Sequence, residues 1–543
     1  MRQKMRNGLI VLTAGAAIAT VAACSSGDNN AKDQSPSPGS PASSASPAAP
    51  TKAVKDLTKK ITISKIAGTW AAPVYSPDGA GVKAINERYN VDFKSQYVPY
   101  DEYANKLPVV MAGGGLPDMI GMETVDANFV KWAKQGAFLP LNEYIDKYPT
   151  LKAIPKSVWD AVTVNGKIYA IPDYFPKKYG KKPIIRKDWL DNLGLKMPTN
   201  YDELTKVAIA FAKNDPDRNG KDDTYGVGMV NTAAGSITYG VPMGAAWDGG
   251  WYHKNAAGQF IPGLISPGFK KQIEVLRDLY AAGALNKDWP VAKIGDIRND
   301  FFAGKYGIFY EQPYDISSKR FENLKKVAPN AEIAVIPPFA QEDGKKGFLG
   351  LSGYYEMFAL NAGIKNDPDK INRILLMLDE FRTFIPVDQR TPNNEYFNWK
   401  NGGVNTGYTM VNGFAIDKDE AQETQPENYM TNRGWAPNDE ANEPEKLMQE
   451  PFTQSFIKNA VAVLKNTQVY MDPINRVHSE LYDAKQSELT KKLNVHHVKM
   501  VVGQESIDNW DAAVKEYLSG GGQEVIDDVN KLMKEAGIGG EWE

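Results

Sequence analysis

From Ile61 onward the chain alternates short strand-like runs with amphipathic helical ones, and this constrains the fold more than any other feature, because strands separated by helices build layered α/β architectures. Ile61-Thr62-Ile63-Ser64-Lys65-Ile66 alternates as an opening strand, Gly79 to Tyr89 reads as a helix, and Val91-Asp92-Phe93 follows as a second strand. Tyr100 to Ala112 is a second helix ending in Gly113-Gly114-Gly115, since glycine accepts the left-handed conformation at a helix C-terminus. The apolar run after Leu116-Pro117-Asp118 is a buried strand. Thr199 can cap a helix whose apolar face holds Leu204, Val207, Ala208 and Phe211. Phe269 to Ala282 and, after Ser506, Ile507 to Leu518 are helices by their spacing, while Ile308-Phe309-Tyr310 and Ile333-Ala334-Val335-Ile336 are short buried strands.

The residues ahead of this body read as an address. Arg2, Lys4 and Arg6 precede an apolar stretch from Leu9 to Ala23, too short for an ordinary membrane span, and Val21-Ala22-Ala23-Cys24 resembles the lipobox of bacterial lipoproteins. Residues 1–23 are therefore expected to be a signal peptide and Cys24 a lipidated N-terminus, carrying palmitate-type acyl chains. A secreted protein without an anchor is the alternative. Cys24 is the only cysteine, so no intrachain disulfide can form. Ser25 to Lys55 has no aromatic residue and no Leu or Ile, so it cannot bury enough apolar surface to offset the entropy of ordering; residues 24–57 read as a disordered tether. The body is then expected on the extracellular face of the cell membrane, as in a Gram-positive-type lipoprotein.

About 485 residues remain, long enough for two sizeable lobes or three small domains. Loss of residues 1–23 removes three basic groups and leaves 60 Lys and Arg against 66 Asp and Glu, a formal charge of −6. Nucleic acid is not an expected partner, because that would call for a basic face.

Several segments in order carry a family resemblance: Gly113-Gly114-Gly115-Leu116-Pro117-Asp118, Asn165-Gly166-Lys167-Ile168-Tyr169-Ala170-Ile171-Pro172, Ile185-Arg186-Lys187-Asp188-Trp189-Leu190 with Leu193-Gly194-Leu195 and Pro198, and Phe302-Ala303-Gly304-Lys305-Tyr306-Gly307. Together they resemble the family 1 extracellular solute-binding lipoproteins, the maltose-binding-protein-like substrate receptors of ABC importers. The resemblance implies an α/β, two-lobe, periplasmic-binding-protein-like fold of type II with a central ligand cleft. It places crossovers near Asp173-Tyr174-Phe175, Pro337-Pro338 and Lys365. Lobe 1 would comprise 58–172 and 338–365, and lobe 2 would comprise 173–337 and 366–543. Ligand touching both lobes would favour a closed form through a hinge motion. The expected partners are a small polar solute and the permease subunits, with the receptor a monomer and not an enzyme.

The sharpest local motif is Asn214-Asp215-Pro216-Asp217-Arg218-Asn219-Gly220-Lys221-Asp222-Asp223. Asp215, Asp217 and Asn219 by side chain, Lys221 by carbonyl and Asp223 at the ninth position match the first half of an EF-hand-type Ca2+ loop. Gly226 stands where the twelfth-position glutamate would be, so further ligands must come from elsewhere. A structural calcium ion is expected, with a hydrated acidic turn as the alternative.

Aromatic residues suggest the solute. Sugars offer C–H faces to flat rings and hydroxyls to carboxylates and amides, so Trp70, Tyr174, Tyr239, Trp247, Tyr314, Tyr354 and Trp435 are candidate ligand contacts, with core packing the alternative for each. Glu123 and Asp173 are the polar candidates, with capping or ion pairing as the alternative. An oligosaccharide is the expected cargo, and the polar stretch from Thr391 to Asn438 is expected to cap one end of the cleft. The four histidines form no metal or protease motif, and His496-His497 reads as an exposed pair. A peptide or another polar solute, a glycoside hydrolase using two carboxylates, and an adhesin are the competing readings.

Overall fold

The computed structural model describes residues 56–542 apart from 72, 232–249, 317, 341–343, 432 and 449. The expected signal peptide, Cys24 and nearly all of the tether lie outside the described residues, as do Tyr239 and Trp247. No helix among the described residues is long and apolar enough to cross a membrane.

The first lobe is built on a five-stranded sheet in the order Val91–Pro99, Ile61–Thr69, Met119–Met122, Tyr354–Leu360, Ala170–Tyr174. The first three strands are parallel, and Tyr354–Leu360 runs antiparallel to both of its neighbours. Met119–Met122 is buried at every position, as a central strand covered on both faces must be. One core unites Ile63, Ile85, Phe93, Ile120, Ile171 and Leu378. The second lobe has a four-stranded sheet ordered Ile333–Val335, Lys182–Arg186, Tyr306–Glu311, Tyr225–Val227. Successive residues of its strands feed opposite faces: Ile185 and Ile308 join a core with Trp189, Phe211, Leu276 and Met533, while Ile184 and Phe309 join Phe301, Phe321 and Phe456 on the other side. Gly307 permits this packing, since a Cβ there would lie 2.1 Å from the Phe211 ring.

The chain leaves the first sheet after Tyr174, enters the second at Lys182, and returns to the first at Tyr354. The expected boundary at 365 is displaced. Helix Pro368–Phe381 puts Ile371, Ile374, Leu375 and Leu378 into the first core, where Tyr429 and Met430 also lie, so residues to about 430 belong with lobe 1; Phe456 and Ile457 of helix Pro451–Lys465 then join the second core. Periodicity shows that such a helix has an apolar stripe. It does not show which sheet the stripe covers.

Smaller differences have local causes. The helix Tyr201–Lys213 is capped by Asn200, whose side chain accepts from the Glu203 amide, while Thr199 instead donates its own amide and hydroxyl to the Glu203 carboxylate at 2.9 and 2.8 Å. That reciprocal arrangement satisfies two free backbone donors at one helix start. The late helix opens with a 3₁₀ turn, Ile507–Asn509, before Trp510–Tyr517. His496 and His497 are not an exposed pair: His497 is buried with its ring stacked on Trp510 at 5.1 Å, and His496 lies half-buried between Glu505 and Glu516.

Candidate functional site

The strand Ile61–Thr69 is buried along most of its length and delivers Trp70, the next residue, to a surface where the side chain is 65% exposed. Beneath it lies Tyr100, with ring centroids 4.9 Å apart and the planes inclined by 39°. Gly68 makes room for this pair, because a Cβ there would fall 2.2 Å from the Tyr100 ring. The indole Nε1 donates to Tyr355 Oη at 2.8 Å, and that hydroxyl donates in turn to the Glu123 carboxylate. Tyr100 Oη donates to Glu356 Oε1 at 2.8 Å. An indole face open to water, oriented by a tyrosine and a carboxylate, is a platform suited to an apolar face with polar edges.

Glu356 has φ +68°, uncommon for a residue with a side chain, and lies where pairing between Tyr354–Leu360 and Ala170–Tyr174 slips register. It faces a small cavity of about 90 Å³ shared with Lys65, Trp70, Tyr97, Asp173 and Thr431. Burial pushes the Glu356 carboxyl up to about 7, reinforced by the Asp173 charge and opposed by its Tyr100 hydrogen bond and by Lys65. Burial likewise brings Lys65 down to about 7, against the attraction of Asp173 and Glu356. Lys65 Nζ donates to Tyr97 Oη at 2.8 Å and to the Tyr429 carbonyl at 2.7 Å. Asp173 is raised by burial and held down by Arg382 and Lys65; it accepts from the Arg382 guanidinium, which is itself buried and also donates to the Pro172 and Leu378 carbonyls. Asp173 is thus the anchor of a buried ion pair at the cavity wall.

A larger cavity of about 460 Å³ opens where residues 383–448 meet Tyr179 and Tyr314, whose rings lie 4.0 Å apart. Tyr174 is buried, donates Oη to Asp439 at 2.8 Å and meets Trp435 edge-on at 5.5 Å, so both brace this region. A third cavity of about 240 Å³ is lined by Glu123, Tyr354, Tyr355 and His478. The first and second cavities share Asn428 in their linings, and a chain of contacts runs from the third to the second: Tyr355 lies 5.9 Å from the Phe175 ring, and Phe175 carries the Arg433 guanidinium 4.7 Å above it.

Trp70 and Asp173 line the first cavity, Tyr314 the second, and Glu123 and Tyr354 the third; Tyr174 and Trp435 stand behind them, and Tyr239 and Trp247 fall outside the described residues. Sequence reasoning passed over Lys65, Tyr100, Glu356, Arg382 and Arg433. Glu356 follows the tyrosine pair after Gly353, whereas Lys65 shares a face with Ile61 and Ile63 by the strand's period of two, and a lysine on that apolar face was the signal the sequence offered.

The acidic loop folds as a compact turn, with φ positive at Asp215, Arg218 and Gly220. Asp215 accepts from the Asn219 and Gly220 amides at 3.0 Å each, and Asn219 Nδ2 donates to Asp217 at 2.9 Å and Asp223 at 3.1 Å. Asp217 Oδ1 is buried without a hydrogen-bond partner, and its carboxyl is raised by burial first and then by the neighbouring Asp215 and Asp223. Among the described residues no three His, Cys, Asp or Glu side chains are gathered closely enough to hold a metal. The donor set nevertheless fits a hard cation: an orphaned carboxylate oxygen faces inward among like charges, with an amide between two acids whose oxygen could take the inward place.

The profile of bacterial extracellular solute-binding proteins matches residues 47–371. The chain belongs to this family. The polygalacturonan/rhamnogalacturonan-binding protein YtcQ of Bacillus subtilis is 27% identical over 488 residues, covering 87% of this chain and 92% of its own. Among solved structures, the Streptococcus pneumoniae ABC-transporter substrate binding protein FusA in complex with kestose has a TM-score of 0.61 at 19% identity, covering 88% of this chain and 99% of that one. The alginate-binding protein AlgQ2 without calcium ion has a TM-score of 0.59 at 20% identity, covering 89% and 100%. These two likenesses establish the shared α/β solute-binding fold. Members of the family are binding proteins of ABC transporters and not enzymes, and this chain is one of them.

Proposed function

We propose that the protein is the extracellular, lipid-anchored substrate receptor of an ABC importer, and that it binds an oligosaccharide along the joined cavities between its lobes and presents it to the permease. The observation that carries this reading is the Trp70 platform: a tryptophan left 65% exposed, backed by Tyr100 and held at its indole nitrogen by Tyr355 and Glu123. A large apolar side chain fixed by hydrogen bonds yet left open to water fits a ligand with a flat apolar face and polar rim. Glu123, Tyr314 and Tyr354 line the neighbouring cavities and are assigned ligand contacts, whereas Asp173, held by Arg382, forms the wall of the first cavity. A saccharide cargo is supported by YtcQ, a polygalacturonan/rhamnogalacturonan-binding protein, and by FusA, whose structure is a complex with kestose.

Cys24 is assigned the anchor, and residues 24–57 the tether that lets the body reach the permease as a monomer. The loop from Asp215 to Asp223 is assigned a structural calcium ion, held by Asp215, Asp217, Asn219 and Asp223 with the Lys221 carbonyl; the ion would offset the mutual repulsion of these acids and has no part in ligand chemistry. The stretch from Thr391 to Asn438 closes one end of the cleft.

Thermal unfolding of the chain from Ser25, with calcium present, against a panel of neutral and acidic oligosaccharides tests the reading. Ligand at ~100 times its dissociation constant adds roughly 2.7 kcal/mol and raises the midpoint, with the sugar recovered intact. No shift with any saccharide, or recovery of cleaved sugar, would reject it.

A further inference from the structure

The charges lining the 460 Å³ cavity do not balance. Lys400 pairs with Glu427 at 2.9 Å and donates to the Phe381 carbonyl. Arg390 donates Nε to the Ile385 carbonyl at 2.9 Å and is faced by Glu427 and Asp417, the two acids of the lining. Arg433 is the third cation of that lining, and it makes no ion pair and no side-chain hydrogen bond among the described residues. Of the acids nearby, Asp439 accepts from Tyr174 Oη and the Lys178 amide and Glu440 pairs with Lys178 at 2.9 Å, while Glu445, whose Oε2 is buried without a hydrogen-bond partner, faces the Tyr179 and Tyr314 hydroxyls from the adjoining depression and is not part of this lining.

Arg433 is nonetheless held in place. Its guanidinium lies 4.7 Å over the Phe175 ring, and its backbone is fixed by Thr431, whose hydroxyl donates to the Arg433 carbonyl at 3.2 Å. Stacking on an aromatic face fixes the plane of a guanidinium and leaves its N–H edge as a paired donor, the geometry that matches a carboxylate. A half-buried cation without a counter-ion loses hydration and gains only uncharged hydrogen-bond partners from a neutral ligand, while an anion arriving in the cavity restores the balance.

Resting on the carbohydrate reading above, we propose that the cargo is a uronic-acid oligosaccharide and that Arg433 reads the carboxylate of one of its sugar units. One uncompensated positive charge calls for a ligand group of charge −1. A phosphate monoester, at about −1.5 to −2, would bring more negative charge than the lining can answer. The paired Tyr179 and Tyr314 rings, inclined by 32° in the same lining as Arg433, supply apolar contact for the sugar ring that bears the carboxylate.

The test is calorimetric titration of the whole chain from Ser25 with hexuronate trisaccharides of galacturonate, glucuronate and mannuronate type, and with the same sugars after carboxyl reduction to the neutral alcohols. At least one uronate binds ten-fold or more tightly than its reduced counterpart, and its affinity falls as salt is raised. Arg433→Gln abolishes that preference, lowering the uronate's affinity ten-fold or more and the reduced sugar's by a much smaller factor, while Arg433→Lys retains part of it; a residue that only braces the fold would lower both affinities by the same factor. Neutral sugars bound as tightly as, or more tightly than, uronates would overturn the uronate assignment and leave the carbohydrate receptor standing. Binding of no saccharide at all would overturn both.

Discussion

Glu356 is half-buried in a strained backbone conformation, and its carboxyl is raised from an ordinary 4.5 to about 7. Between those two values the unfolded chain has lost the proton that the folded chain keeps. Stability therefore falls as pH rises from about 4.5 to 7, and the cost is complete above 7. At 1.36 kcal/mol per unit the ceiling of this cost is roughly 3 kcal/mol. Glu356→Gln removes the titration while keeping an oxygen to accept from Tyr100 Oη. It also removes the negative charge that helps Lys65 hold its proton, which offsets part of the gain. The net expectation is a variant about 1–2 kcal/mol more stable than the parent at pH 8 and equal to it within ~0.5 kcal/mol at pH 4.5. Urea unfolding at both pH values, followed by tryptophan fluorescence, measures the difference. A stability change of the same size and sign at both pH values would refute the reasoning, because the effect would then come from packing and not from ionisation.

The Asp173 and Arg382 pair predicts the opposite sign: Arg382→Met leaves a buried carboxylate without its counter-ion and costs about 3–5 kcal/mol by urea unfolding near neutral pH, with part of the loss recovered in Asp173→Asn/Arg382→Met. Trp70→Ala changes stability by less than ~0.5 kcal/mol, because the ring is mostly in water, yet weakens saccharide binding at least ten-fold by titration calorimetry; an unchanged affinity would remove Trp70 from the proposed site. Calcium raises the melting midpoint of the parent over its value in EDTA, and Asp217→Asn, which neutralises the orphaned carboxylate, suppresses most of that rise; equal midpoints in calcium and EDTA would leave the loop an acidic turn.

The alternation of strand and helix was legible because burial imposes a period of two on strands and of 3.6 on helices, and both are local. Ile61–Thr69, Met119–Met122 and Tyr201–Lys213 appear where their patterns placed them, give or take a few residues or a cap. The order of motifs pointed to the family for the same reason, since turns such as Gly113-Gly114-Gly115 carry their geometry in residue type. Trp70 could be singled out from its position just past a strand end.

Tertiary structure decided what no window of sequence contains. The stripe of Pro368–Phe381 fits either sheet in principle, and only the assembled cores assign it to the first lobe, across the expected boundary at 365. Lys65 gained its meaning from Tyr97, Asp173, Glu356 and Tyr429, which arrive from four distant stretches of chain. Arg433 is one arginine among many in the sequence; it becomes the uncompensated charge of a cavity only once Asp417, Glu427, Asp439 and Glu440 are seen to be engaged by other groups. Secondary structure is written in neighbours along the chain, whereas ligand recognition depends on charges and rings brought together by the fold, and electrostatic balance is a property of that gathering alone.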